Sequence, residues 1–128
     1  QTALLAELAG FVFTVEKSQV LAQKARRLLE STRLKNIDFH IGDGTLGWEE
    51  HAPYDKIIAT GAVPRVPESL MRQLKASGRL VIPVGGKQVQ TLLLIEKEGG
   101  KVRQQELCSC SFLPLLGKEG WQENEFYN

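Results

Sequence analysis

The chain has 128 residues, 42% of them hydrophobic, and its 16 basic and 15 acidic residues leave a formal charge of +1. A balance this even, with no block of like charge, supplies no basic stripe for nucleic acid. No apolar run approaches the roughly 20 residues that span a bilayer, and the first residues lack the basic-then-apolar pattern of a secretory leader, so one cytoplasmic domain over 1–128 is the expectation.

Gln1 to Ala9 places Ala3, Leu4, Leu5 and Leu8 on one broad apolar face, which predicts a helix ended by Gly10. Phe11 to Val15 is aromatic and β-branched and predicts a strand with Glu16 at its tip. A second helix is predicted from Ser18 to about Leu34, with Leu21, Ala25, Leu28 and Leu29 toward the core and Lys24, Arg26, Arg27 and Glu30 toward water. Ile37 to Ile41 alternates as a strand does, and Gly42-Asp43-Gly44 stops it. Tyr54-Asp55-Lys56 then leads into Ile57 to Thr60, an apolar run short enough for a strand buried on both faces.

Gly61-Ala62-Val63-Pro64 breaks that run at the carboxyl end of an expected parallel strand, where open α/β sheets place their ligands. Pro67 suits a first helical position, Leu70, Met71 and Leu74 form one stripe, and Gly78 suits the position past the helix end. Leu80 to Ile82 is the next buried strand. Gly85-Gly86 opens a turn, Gln90 to Lys97 is a strand, Glu98 to Lys101 is a tight connection, and Val102 to Leu113 is a last strand. No room remains for a crossover helix between the closing strands, so they are expected to pair antiparallel.

Cys108 and Cys110 are the only cysteines. On a strand their side chains share one face about 7 Å apart at roughly 3.3 Å per residue, too far for an unstrained disulfide. Two thiols also fall short of a four-ligand zinc site, and neither His40 nor His51 stands at a spacing that completes one. Reduced packing residues and no metal are the expectation.

Glu16 is the sharpest candidate, because a strand-tip carboxylate offers two acceptor oxygens to the paired hydroxyls of a ribose. It reads equally as a helix-leading acid beside a positive dipole end. Asp43 between two glycines suits either a tight turn or contact with an adenine amino group, with the turn ahead. Thr60, Gly61 and Ala62 are small, either to leave room for a reacting centre or because Pro64 and Pro67 force a bend. Trp48 and Trp121 read first as packing, and His51 as a solvent-facing loop residue. No nucleophile constellation assembles, which favours chemistry carried by a bound cofactor.

In chain order, Glu16, Gly42-Asp43-Gly44, Ala52-Pro53-Tyr54-Asp55, Gly78-Arg79-Leu80-Val81-Ile82-Pro83-Val84-Gly85 and Phe112-Leu113-Pro114-Leu115 resemble the protein-L-isoaspartate O-methyltransferase family, over Gln1 to about Trp121. The resemblance implies an α/β, Rossmann-like S-adenosylmethionine-dependent methyltransferase fold: a three-layer sandwich with a mostly parallel sheet and antiparallel carboxy-terminal strands. The implied activity is methyl transfer from S-adenosylmethionine to the free carboxylate of L-isoaspartyl residues in damaged proteins and peptides. The ester then cyclises to a succinimide that can open to aspartate.

By the same resemblance Glu16 holds the ribose, Asp43 and Gly44 meet the adenine, Thr60 borders the cofactor and Trp121 closes over it. Gly61, Ala62, Leu113, Pro114, Leu115 and Leu116 form the substrate wall, although Leu116 and Gly117 are apolar and flexible where some relatives place polar groups. The family's glycine-rich cofactor turn, first strand and active-site Ser precede the segment matching Gln1. No catalytic residue is therefore expected within this chain, which reads as the carboxy-terminal part of a longer enzyme, truncated at the amino terminus and inactive alone. The strands flanking the absent one would expose edges that invite self-association. A small-molecule methyltransferase would share Glu16 and Asp43, a dinucleotide oxidoreductase would continue its sheet in parallel, and a binding or assembly module would need no chemistry.

Overall fold

The computed structural model describes residues 1–125. The chain divides into two compact units, Gln1–Gly44 and Thr45–Asn128. In the first, α1 (Thr2–Leu8), β1 (Val12–Glu16), α2 (Gln19–Glu30) and β2 (Ile37–Ile41) follow in order. The α2 crossover lets β1 and β2 pair parallel, in register from Val12 opposite Ile37 to Glu16 opposite Ile41.

α1 stops just before Gly10, but not by a left-handed glycine cap, since the φ of Gly10 is not positive, and another group has to satisfy its last carbonyls. The Asn36 amide does so, donating to the carbonyls of Ala6 at 2.8 Å, Ala9 at 3.1 Å and Gly10 at 3.3 Å. Ser18 caps α2 by accepting from Leu21 N at 3.3 Å. That helix stops at Glu30 rather than near Leu34, because the Ser31 and Thr32 hydroxyls donate to the carbonyls of Leu28 and Leu29 at 2.7 and 2.6 Å. Its expected core stripe is also corrected. Leu21 and Leu28 are 56% and 62% exposed while Ala22 is buried, since a two-stranded sheet covers only a narrow helix face and the small Ala22 makes the close approach.

The second unit begins with short 3-10 turns and contains β3 (Tyr54–Ile58), α3 (Glu68–Gln73), β4 (Leu74–Gly85), β5 (Gln90–Glu98) and β6 (Lys101–Cys110). Its sheet runs β3-β4-β5-β6, with the first pair parallel and the other two antiparallel, as expected for the closing strands. Over the two units, two strand pairs are parallel and two antiparallel, an α/β arrangement whose carboxy-terminal strands are the antiparallel ones. The hairpin between β5 and β6 is closed by Gly99 and Gly100 at φ +56° and +77°, the left-handed pair that a two-residue turn demands.

Leu80 and Ile82, both 0% exposed, centre a core with Val63, Leu70, Leu74, Leu93 and Ile95. β3 lies at the sheet's edge and leaves Asp55, Lys56 and Ile58 exposed, so burial on both faces is not realised. The helix expected to run toward Gly78 ends at Gln73. Leu74 turns extended and plunges into the core, and the Lys97 ammonium takes up the terminal carbonyls of Met71 and, at 3.0 Å, Leu74. Gly78 instead serves the irregular start of β4, where a Cβ would come 2.7 Å from Leu74 Cγ. β6 ends at Cys110, short of Leu113, and the chain beyond it takes up the contacts described next.

Candidate cofactor and substrate site

Parallel pairing carries two of the sequence-selected features to the same end of the first unit's sheet. Glu16 is the last residue of β1, opposite Ile41, and its carbonyl accepts from Gly42 N at 3.1 Å. Gly42-Asp43-Gly44 therefore leaves β2 directly beside Glu16. The Glu16 side chain is half-buried, and its Oε1 accepts from Ser18 N at 2.8 Å. The helix-leading role is thus realised, and it also fixes where the carboxylate points. One bond leaves a carboxylate with further acceptor capacity, enough for a vicinal diol. Asp43 and Gly44 are half-buried. A Cβ at Gly42 would collide with the His40 ring, 2.6 Å from Nε2, so the glycine lets that imidazole lie against the turn.

The second unit brings together the residues around Gly61 and those around Leu113. After β3 the chain stays beside β4: Ala59 N donates to Val81 O at 2.9 Å, Val63 N to Pro83 O at 3.0 Å, and Gly85 N to Val63 O at 3.0 Å. Ala62 then forms a parallel bridge with Pro114, its N–H donating to Leu113 O and its carbonyl accepting from Leu115 N, both at 2.8 Å. Gly61 and Ala62 are buried by this contact and Thr60 remains exposed. Leu115 packs on the core, whereas the Leu113 side chain is 83% exposed on a backbone held firmly in place.

Pro114, Leu115 and Leu116 are half-buried. Past Leu116 the chain turns back on itself, so that Trp121 bridges Leu116 and donates from its backbone N to Leu115 O at 3.0 Å. A Cβ at Gly120 would overlap the Leu115 carbonyl oxygen, so only glycine closes this turn. Trp121 is half-buried beside the Leu115–Leu116 segment. Trp48 meets His51 edge-on at 4.4 Å, and His51, exposed as expected, ends a short 3-10 helix (Glu49–His51) rather than lying in an irregular loop.

The structure adds residues that sequence reading passed over. Glu119 Oε2 accepts from Ser69 N at 2.9 Å and Oε1 from the Ser69 hydroxyl at 2.6 Å, while Glu119 N donates to the buried Thr45 hydroxyl at 3.0 Å. These bonds, the side-chain one foremost, hold the Glu119 carboxyl below its ordinary range. Gln73 accepts from Trp48 N at 3.0 Å and donates to Leu46 O at 2.7 Å. The Tyr54 hydroxyl donates to the Trp48 carbonyl, and burial pushes its pKa up. Cys108 and Cys110 are free thiols; Cys110 Sγ donates to Gln90 O at 3.5 Å, and burial with the neighbouring thiol raises its pKa, the opposite of an activated cysteine. Among the described residues no cluster of three or more His, Cys, Asp or Glu is placed to hold a metal, and no helix is long and apolar enough to cross a membrane.

An acidic residue and a glycine turn at the carboxyl ends of adjacent parallel strands in the first unit, and a mixed sheet ending in antiparallel strands in the second, are consistent with the α/β, Rossmann-like methyltransferase fold. The solved structures agree. A protein-L-isoaspartate O-methyltransferase superposes with a TM-score of 0.85 at 31% identity, over 93% of this chain and 39% of that one. A Plasmodium falciparum protein assigned to the same activity, solved with S-adenosyl-L-homocysteine, superposes at a TM-score of 0.73 and 21% identity, over 83% of this chain and 52% of that one.

The chain belongs to the protein-L-isoaspartate (D-aspartate) O-methyltransferase family, whose family model matches residues 1–120. It is 48% identical over 125 residues to protein-L-isoaspartate O-methyltransferase of Trichlorobacter lovleyi, covering 97% of this chain and 58% of the relative. It is 48% identical over 126 residues to that of Geobacter metallireducens, covering 98% of this chain and 58% of the relative. The chain thus spans little more than half the length of these curated relatives.

Proposed function

We propose that the protein to which this chain belongs transfers a methyl group from S-adenosylmethionine to the free carboxylate of L-isoaspartyl residues in damaged proteins and peptides. Family membership supports the reaction, and the observation that carries the site is the in-register placement of Glu16 beside Gly42-Asp43-Gly44 at one strand end. The residues fit the cofactor. Glu16, steered by Ser18 N, is set to accept from the ribose hydroxyls, and the Asp43-Gly44 turn to meet the adenine.

S-adenosylmethionine, when bound, supplies an activated methyl group on a sulfonium. The acceptor carboxylate is already a nucleophile, so this chain's residues contribute orientation and exclusion of water rather than acid or base catalysis. Gly61 and Ala62, stitched to Leu113–Leu115, form the substrate wall, with Leu116 continuing it. The chain is part of one cytoplasmic methyltransferase domain, and the outer edges of β1 and β3 are the surfaces through which it would self-associate when expressed alone.

The test is transfer of labelled methyl to an isoaspartyl peptide by the full-length protein, with the matching aspartyl peptide as control. A base-labile ester on the isoaspartyl peptide alone is expected. Transfer only to small acceptors, or to both peptides equally, overturns the reading.

A further inference from the structure

We propose that Glu119 is a positioning residue, which through Ser69 fixes the wall from Leu113 to Trp121 against the Gly61-Ala62 turn. The inference rests on the reading that this wall faces the substrate. The wall is anchored at both ends. The upstream anchor is the pair of backbone bonds between Ala62 and Leu113–Leu115. The downstream one is the Glu119 carboxylate, which receives both the N–H and the hydroxyl of the buried Ser69 at the start of α3.

Ser69 is itself oriented. Its hydroxyl oxygen accepts from Arg72 Nη2 at 3.0 Å, one turn along α3, which leaves the hydroxyl proton for Glu119. The Glu119 N–H is held by Thr45, so the residue is pinned at its backbone and at its side chain. Between the anchors Gly117 N donates to Trp121 O at 3.1 Å and Trp121 N to Leu115 O at 3.0 Å. Any movement of Glu119 is thereby passed to Leu115, whose Cα lies where a Gly61 Cβ would be 3.1 Å away. With both carboxylate oxygens engaged by Ser69, Glu119 acts through the wall.

Loosening a wall that binds substrate without touching the reacting atoms weakens ground and transition states alike, which raises KM and spares kcat. Steady-state kinetics of the full-length protein with an isoaspartyl peptide, and amide hydrogen exchange at Ala62 and Leu115, test this. Glu119→Ala is expected to raise KM about tenfold, as loss of charge-assisted hydrogen bonds does, with kcat held within about twofold. Exchange at both amides should quicken, Ser69→Ala should do the same, and the double variant should be no worse than either.

The isosteric Glu119→Gln, expected to show a smaller rise, keeps the test alive should the alanine variant fail to fold. An unchanged KM with unchanged exchange overturns the proposal, as does a fall in kcat that tracks a lowered unfolding midpoint. If the unaltered protein methylates no isoaspartyl peptide, the functional reading falls; exchange at Ala62 and Leu115 still decides whether Glu119 holds the wall.

Discussion

Substituting Gly61 by alanine isolates the contact on which the placement of Leu113–Leu115, the proposed substrate wall, depends. A Cβ there would lie 3.0 Å from Leu115 Cβ, 3.1 Å from Leu115 Cα and 3.2 Å from Leu115 N. Two of these are backbone atoms, which cannot swing aside as a side-chain tip can. Retreat is blocked as well, because Leu115 packs on the core and its N–H is bonded to Ala62 O at 2.8 Å. Gly61 has no positive φ, so backbone strain does not contribute and the effect is steric. Overpacking of this kind costs about 1 to 3 kcal/mol, and loosening one of the two Ala62 bonds adds about 1 kcal/mol. We expect about 2 to 4 kcal/mol in all, a factor of roughly thirty to nine hundred in the local opening equilibrium. Amide hydrogen exchange at Ala62 and Leu115 reads this locally and urea unfolding reads it globally. Gly10→Ala is the control: no atom lies within 4 Å of a Cβ there, and a change within about 0.5 kcal/mol is expected. Equal exchange and equal stability for the two variants would refute the steric argument.

In the full-length protein, Glu16→Ala should weaken S-adenosylmethionine binding by about 1 to 3 kcal/mol in calorimetric titration, the range for charged hydrogen bonds, and equal affinity would remove Glu16 from the site. The Glu119 carboxyl titrates lower when folded than when unfolded, chiefly through Ser69. Its stabilising contribution is therefore complete above the unfolded glutamate value of about 4.3 and is lost as pH falls through the folded value. The stability gap between the unaltered chain and Glu119→Gln should accordingly be flat near neutrality and shrink below that pH in urea titrations; a gap that widens on acidification contradicts the assignment. Leu80→Ala, at a position 0% exposed, should cost about 2 to 5 kcal/mol by urea unfolding, and a loss below about 1 kcal/mol would remove β4 from the centre of the core.

The features legible in the sequence are those whose cause is local. Ile37–Ile41 was readable to the residue because alternating bulky side chains end at a glycine, and Gly99-Gly100 because a two-residue turn between paired strands requires two positive φ values. Glu16 and Asp43 were readable because a strand tip is a topological position that periodicity locates. The end of α2 was missed because the Ser31 and Thr32 hydroxyls compete for the last carbonyls, a local effect that the apolar stripe masks. The ends of α1 and α3 depend on Asn36 and Lys97, distant residues whose reach no window of sequence reveals. Glu119 is the extreme case: 50 residues separate it from Ser69, and in its own neighbourhood it is one acid in a polar turn. This division has a physical consequence for the site. Glu16 and Asp43, the residues proposed for the cofactor, sit at or just past strand ends and inherit their positions from backbone pairing, so they tolerate change elsewhere so long as β1 and β2 stay in register. The proposed substrate wall is held by the Ala62 backbone bonds and also by side-chain bonds that cross the sequence, from Glu119 to Ser69 and Thr45. Substitutions far from Leu113, at Ser69, Arg72 or Thr45, should therefore raise the KM of the full-length protein for an isoaspartyl peptide in steady-state kinetics.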